Sequence, residues 1–318
     1  MTKSCQREPS PTTGKVIENM SKKIIIRADD VGYTPVNNIG AFESIENGVV
    51  TAADVMLECP GTVDALERLK EMPWISVGWH THFWGSPVCD PEKVPTLYNS
   101  STGHFRQDLR NAQDVSEEEA YLEIMTQFER CEKILGRLPD VAGDVDPTSP
   151  FARAQIRALD GLKIPRNYVC KDGRFGHRDA EFFVDRRIYT LDGGVAYEEL
   201  FTDSITEQEQ KYDPYLYYAE DRGGMEEKFA AGFEVVTQSW HPGYVDYYMY
   251  QLGDQGPFRS RFGIIRTKDV EALTSERMKN WIKENDIELV NFRDALYGTA
   301  SYQNHLRFTG SDLYAGNK

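Results

Sequence analysis

Four stretches of this 318-residue sequence combine side chains that could hold a cation or move a proton, and each follows an apolar run. The first is Ala28-Asp29-Asp30-Val31-Gly32, directly after Lys22–Arg27 (KKIIIR). Adjacent carboxylates at a strand end point in different directions, so one can bind a cation while the other handles a proton. The second is Gly78-Trp79-His80-Thr81-His82. Residues two apart on a strand share a face, so both imidazoles could approach one ion, and neutral imidazole is a good ligand. The third is Gly143-Asp144-Val145-Asp146-Pro147, again with same-side spacing and with carboxylate oxygens that suit Mg, Mn or Zn. The fourth is Trp240-His241-Pro242-Gly243-Tyr244, a histidine before a rigid turn whose ordinary pKa suits a general acid. Arg166, after Lys163-Ile164-Pro165, could bind a carboxylate or stabilise an oxyanion. Each has a plainer reading too. Asp29 or Asp30 could cap a helix, Asp146-Pro147 could be only a turn, the histidines could be structural, and Arg166 could form a surface ion pair.

These residues need elements to bring them together. Strand-like runs are expected at Lys22–Arg27, Val49–Leu57, Trp74–His80, Leu138–Val145, Lys163–Val169, Glu181–Thr190, Phe233–Trp240 and Glu288–Asn291. Helical spacing is expected at Asn37–Glu46, Val63–Lys70, Ser116–Gly136, Pro150–Leu159, Ile205–Ala230 and Val270–Asn285. Ser116 and Glu119 have capping-box spacing. Strands alternating with helices imply a mostly parallel sheet, open or closed into a barrel, with its site at the carboxyl ends of the strands. The long stretch from Thr81 to Val115 lacks periodicity and has the length of a functional loop.

Composition narrows the function classes. The net charge of −15 argues against nucleic acid and against anionic membrane surfaces. No apolar run is long enough to span a bilayer. Five cysteines without CxxC spacing fit free thiols in a reducing compartment. Residues 1–20 are polar, read as a disordered tail, and lack a secretory signal, so one domain over 21–318 and a cytoplasmic location are expected. A homodimer is compatible with the sequence.

Taken in order, the motifs resemble the YdjC/ChbG-like carbohydrate deacetylases. The resemblance rests on Arg27-Ala28-Asp29-Asp30-Val31-Gly32, Asn47-Gly48-Val49-Val50-Thr51, Val77-Gly78-Trp79-His80, Gly136-Arg137-Leu138-Pro139, His241 through Asp246, and the helix from Arg266 to Leu273. It implies a distorted α/β TIM-like barrel of the NodB type with one divalent metal (Mg, Zn or Mn), and hydrolysis of an N-acetyl amide on a small carbohydrate. Asp29 would be the general base, Asp30 and His80 metal ligands, His241 the general acid, and Arg166 a support. Trp79 and Tyr244 would contact the sugar. The family's third motif ends in histidines, and this chain has none there. With one inserted residue, Asp144 matches the family's aspartate and Asp146 takes the ligand position. Without the insertion, Val145 falls there and His82 would have to serve.

Overall fold

The computed structural model describes residues 22–143, 145–169, 175–178, 185–186, 188–191, 207, 212–249 and 262–317. The order is β1 (Lys22–Val31), α1 (Pro35–Glu46), β2 (Ala52–Val55), α2 (Thr62–Lys70), β3 (Ser76–Trp79), α3 (Glu117–Leu135), β4 (Val141–Gly143), α4 (Pro150–Gly161), β5 (Arg166–Val169). Then come β6 (Phe175–Arg178), β7 (Asp185–Arg186), β8 (Ile188–Thr190), α5 (Pro214–Ala219), α6 (Met225–Ala230), β9 (Val235–Trp240), α7 (Phe262–Thr274), α8 (Glu276–Glu284), β10 (Ile287–Leu289), α9 (Phe292–Tyr297) and α10 (Ser301–Thr309).

These strands form one curled sheet in the order β7-β6-β5-β4-β3-β2-β1-β9-β8, with β10 also on β1. Pairing is parallel except for β5–β6 and β6–β7. The curl brings β8 alongside β6. The expected barrel-like α/β architecture is therefore present. The centre is β1, which pairs with β9 along Lys23–Ala28, with β10 at Lys22–Ile24 and with β2 beyond Arg27.

Alternation along β1 sorts its side chains between two environments. Ile24, Ile26 and Ala28 join the large core that contains Phe42 of α1 and Leu66 of α2. Ile25 joins a second cluster with Ala52, Val141, Ile188, Val235, Val290, Phe292 and Leu296. That cluster draws on β4 from one flank and β8 from the other, so it fills the concave face. Arg27 and Asp29 follow Ile25 on that face. The interior thus has an apolar floor and a polar upper half.

Several elements differ from expectation for local reasons. The helix expected over Ile205–Ala230 is, where described, two short helices, because Asp221 and Gly224 between them have positive φ. The one expected over Val270–Asn285 is also two, since the Ser275 hydroxyl accepts the Met278 N–H and starts a new helix. Ser116 caps α3 as expected, but Glu119 does not close the box. Its carboxylate accepts from the backbone and hydroxyl of Thr96, pinning the long 81–115 connection to α3. Glu123 holds the same connection through the N–H groups of Val88 and Cys89. The tail expected over residues 1–20 lies outside the described residues. Among those described, no helix is long and apolar enough to cross a membrane.

The floor depends on Phe292, fully buried at the start of α9. Phe292→Ala should lower the unfolding free energy by about 3–5 kcal/mol, read by urea denaturation. An unchanged midpoint would show that this cluster does not support the interior.

Candidate active site

The end of β1 departs from regular strand geometry where the carboxylates stand. Its register against β2 shifts between Ala28 and Val31, and Asp30 has a φ of 59°. A non-glycine residue in the left-handed region is held there by its surroundings, and such residues cluster at functional sites. Asn37 Nδ2 donates to the Asp30 carbonyl at 3.1 Å, and Asn38 Oδ1 accepts from Gly32 N at 2.7 Å, so α1 fixes this turn. Gly32 has a φ of 88°, and a Cβ there would sit 2.9 Å from the Met56 carbonyl oxygen.

The two neighbouring carboxylates accordingly find different partners. Asp30 Oδ2 accepts from Arg266 at 2.6 Å, while Oδ1 lies 2.9 Å from His80 Nε2 and 3.6 Å from His82 Nε2. Asp29 Oδ1 is 2.7 Å from Arg27 Nε. Beyond β3 the rings of His80 and His82 lie 4.4 Å apart, edge to face. His82 is also stacked on Trp84 at 4.2 Å. Phe83, between them, has a φ of 61°, the second left-handed residue at this site.

The atoms of Asp30, His80 and His82 converge as ligands to one cation would. Two ligand atoms each about 2.1 Å from one ion stand roughly 3–3.5 Å apart at ordinary angles. Asp30 Oδ1 and His80 Nε2 are buried and face each other without a hydrogen bond of acceptable geometry. Buried polar atoms normally have partners, and two that lack them at 2.9 Å suit an ion between them. All three candidate ligand atoms lie within 4.8 Å of one another. Asp29, Asp54 and His80 form a second such group. There Arg27 stands between both carboxylates, whereas in the first group Arg266 takes only Oδ2 of Asp30 and leaves Oδ1 facing the imidazoles.

Burial and neighbouring charge shape the protonation states. Burial pushes the Asp30 carboxyl up, but Arg266 and then His80 outweigh it and hold it well below the usual range. Asp29 is also lowered: burial pushes it up, but Arg27, His80 and His241 together outweigh that. Burial opposes the charged form of His80, yet Asp29, Asp30 and Asp54 raise it to about 9. His82 is lowered to about 3 by burial and by its neighbour His80, which leaves its ring neutral. Burial, with a smaller contribution from Glu123, carries Glu58 up to about 7.

The other expected residues are placed unequally. His241 follows β9, with its backbone N–H on Asp269 Oδ2 at 2.7 Å, and its imidazole is close enough to Asp30 and Asp29 to feel their charge. Burial, the largest influence, lowers that imidazole. Arg166 at the start of β5 pairs with Asp160 of α4 at 3.1 Å, where β5 begins rather than at its carboxyl end. Asp146 is exposed in a turn, its carbonyl accepting from Thr148 N, and it belongs to neither ligand group. Asp144 lies outside the described residues. Trp79 is 1% exposed and packs on Phe83 and Phe128, so it belongs to the core rather than to a sugar-binding surface. The Tyr244 hydroxyl donates to Glu43 of α1 at 2.7 Å. His82 stacks on Trp84, which contacts Tyr33, and Tyr33 in turn contacts Tyr248. Arg27, Asp54 and Arg266 were not singled out from the sequence. Arg27 is two residues before Asp29 on one strand, the same same-side signal that linked His80 to His82.

Known proteins resemble this chain in sequence and in fold. The profile described as YdjC-like protein matches residues 23–142. A carbohydrate deacetylase of Enterococcus faecalis is 29% identical over 280 residues, covering 86% of this chain and 97% of the relative. Carbohydrate deacetylase 2 of Listeria innocua is 24% identical over 280 residues, covering 86% and 98%. The crystal structure of a candidate cellobiose-phosphate cleavage protein from Enterococcus faecalis superposes with a TM-score of 0.57 at 23% identity, over 86% of this chain and 98% of that one, and supports the fold. With the family profile over residues 23–142 and carbohydrate deacetylases aligned over 86% of its length, the chain is similar to the YdjC-like proteins.

Proposed function

We propose that this protein is a carbohydrate deacetylase that hydrolyses the N-acetyl group of an amino sugar with the help of one divalent metal ion. The observation that carries this reading is the convergence of Asp30, His80 and His82 beside Asp29 and His241. The relatives named carbohydrate deacetylase support the substrate class.

Asp30, His80 and His82 would hold the ion, a set of two imidazoles and one carboxylate. Such a set suits Zn or Mn better than Mg, which prefers oxygen ligands throughout. A divalent ion there supplies Lewis acidity toward the amide carbonyl and acidifies a bound water. Arg266 would keep Asp30 ionised and aimed, since it grips the other carboxylate oxygen at 2.6 Å. Asp29, held ionised by Arg27, would accept the proton of the attacking water. His241 would protonate the departing nitrogen. Its imidazole is lowered by burial, so a proton placed on it is readily released. Trp84 and Tyr248, both half-buried, would give the sugar ring an apolar wall.

A panel of N-acetylated amino sugars with Zn or Mn, assayed for acetate, tests the reaction. Acetate release that a chelator abolishes and added ion restores is expected; no release from any sugar overturns the reading. The ligand set is tested by metal content. Asp30→Ala, His80→Ala and His82→Ala should each lose the ion, while Asp146→Ala keeps it. Loss of the ion in Asp146→Ala with retention in His82→Ala would reverse that assignment. His241→Ala should keep the metal and lose roughly 10²–10⁴-fold in kcat.

A further inference from the structure

We propose that Arg27 is the positioning residue of this site, clamping the proton-accepting Asp29 and the carboxylate behind His80 in one rigid frame. This rests on the deacetylase reading only for the role of Asp29; the frame itself is geometric. Arg27 Nε lies 2.7 Å from Asp29 Oδ1, and one terminal nitrogen lies 3.3 Å from Asp29 Oδ2. The same nitrogen donates to the Ser239 hydroxyl, and the other lies 3.4 Å from Asp54 Oδ2. All three guanidinium nitrogens are therefore committed. Asp54 Oδ2 in turn stands 4.0 Å from His80 Nδ1, behind the ring and away from Asp30.

The sheet register builds this frame. Arg27 and Asp29 share a face of β1, and Ser239 on β9 is the register partner of Arg27. Asp54 on β2 pairs with Gly78 on β3. A Cβ at Gly78 would sit 1.9 Å from Asp54 Oδ1, so only glycine leaves that carboxylate its place. Ile25, one step below on the same face, closes the frame toward the apolar floor. The frame is thus desolvated, with Arg27 and Asp54 side chains 13% and 6% exposed.

A planar fork fixes direction as well as charge, which separates it from a lysine. Without the fork, nothing would fix the angle of the Asp29 carboxylate. A displacement of about 1 Å in a catalytic group can cost about 10²-fold in rate. Arg27 acts from the strand that carries the carboxylates, whereas Arg166 pairs with Asp160 of α4.

Three full-length variants test the proposal: Arg27→Lys, Arg27→Met and the double variant Arg27→Met/Asp54→Asn, which removes a carboxylate with the cation and so protects folding. Each is measured for zinc binding by calorimetry, for kcat and KM of acetate release, and for the Asp29 position by crystallography. We expect zinc bound one per chain, KM little changed and kcat down by about 10²-fold. Lysine should not restore it, and the Asp29 carboxylate should be rotated in both methionine variants. Full kcat in Arg27→Lys would show that charge alone suffices, and an unmoved Asp29 in the double variant would remove the clamp; either overturns the proposal. If the unmodified protein releases no acetate, the deacetylase reading falls, and the Asp29 position still decides the role of Arg27.

Discussion

A single desolvated carboxylate organises the upper half of this molecule. Asp30 is 1% exposed, and an ionised group so buried is tolerated only where other charges meet it. Arg266 reaches it from α7 and His80 from the end of β3, while its own backbone sits in a left-handed turn tied to α1. Four separate elements are thus fixed relative to one oxygen pair. Removing a partner from such a buried pair typically costs about 3–5 kcal/mol, because the remaining charge is stranded. Stability and the arrangement of the site are therefore carried by the same contact.

The apolar floor makes that arrangement possible. Val290 and Phe292 follow β10 directly, and they meet Ile25 and Val235 on the concave face. A barrel interior must be filled by side chains, and here the filling changes character within one strand, from Ile25 to Arg27 to Asp29. Water is kept from the lower side of the ion-pair network, which strengthens every electrostatic interaction above it. The long 81–115 connection, pinned by Glu119 and Glu123 of α3, fixes the chain just beyond His82 and Trp84.

The sequence made the strands that end in Asp29, His80 and His241 legible, because apolar runs followed by polar residues mark a strand leaving the core. It also held the same-side spacing of His80 and His82. What it could not give was geometry between strands. Asp146 has the residue type and spacing of a ligand, yet its segment turns outward after β4 and leaves it exposed. Trp79 stands next to a site histidine, but alternation sends it into the core. Arg27 looked like the polar end of KKIIIR, and only the register with Ser239 and the approach of Asp54 give it a role. The Ile205–Ala230 and Val270–Asn285 helices were drawn too long because breaks at Gly224 and Ser275 are set by one residue each.

The charges in the interior favour a cation between Asp30 and the histidines. Among the described residues, the guanidinium groups paired with Asp29, Asp30 and Asp54 are those of Arg27 and Arg266. Arg27 spans Asp29 and Asp54, and Arg266 takes one oxygen of Asp30, so the other oxygen of Asp30 is left to the imidazoles. The excess negative charge is what raises His80, and it falls on the side where His80 Nε2 and the neutral His82 ring meet Asp30. A proton on His80 satisfies part of that field, but leaves His82 stacked on Trp84 with its Nε2 still 3.6 Å from the carboxylate. A divalent ion there would be held by all three atoms at once, with the His80 ring in its neutral form.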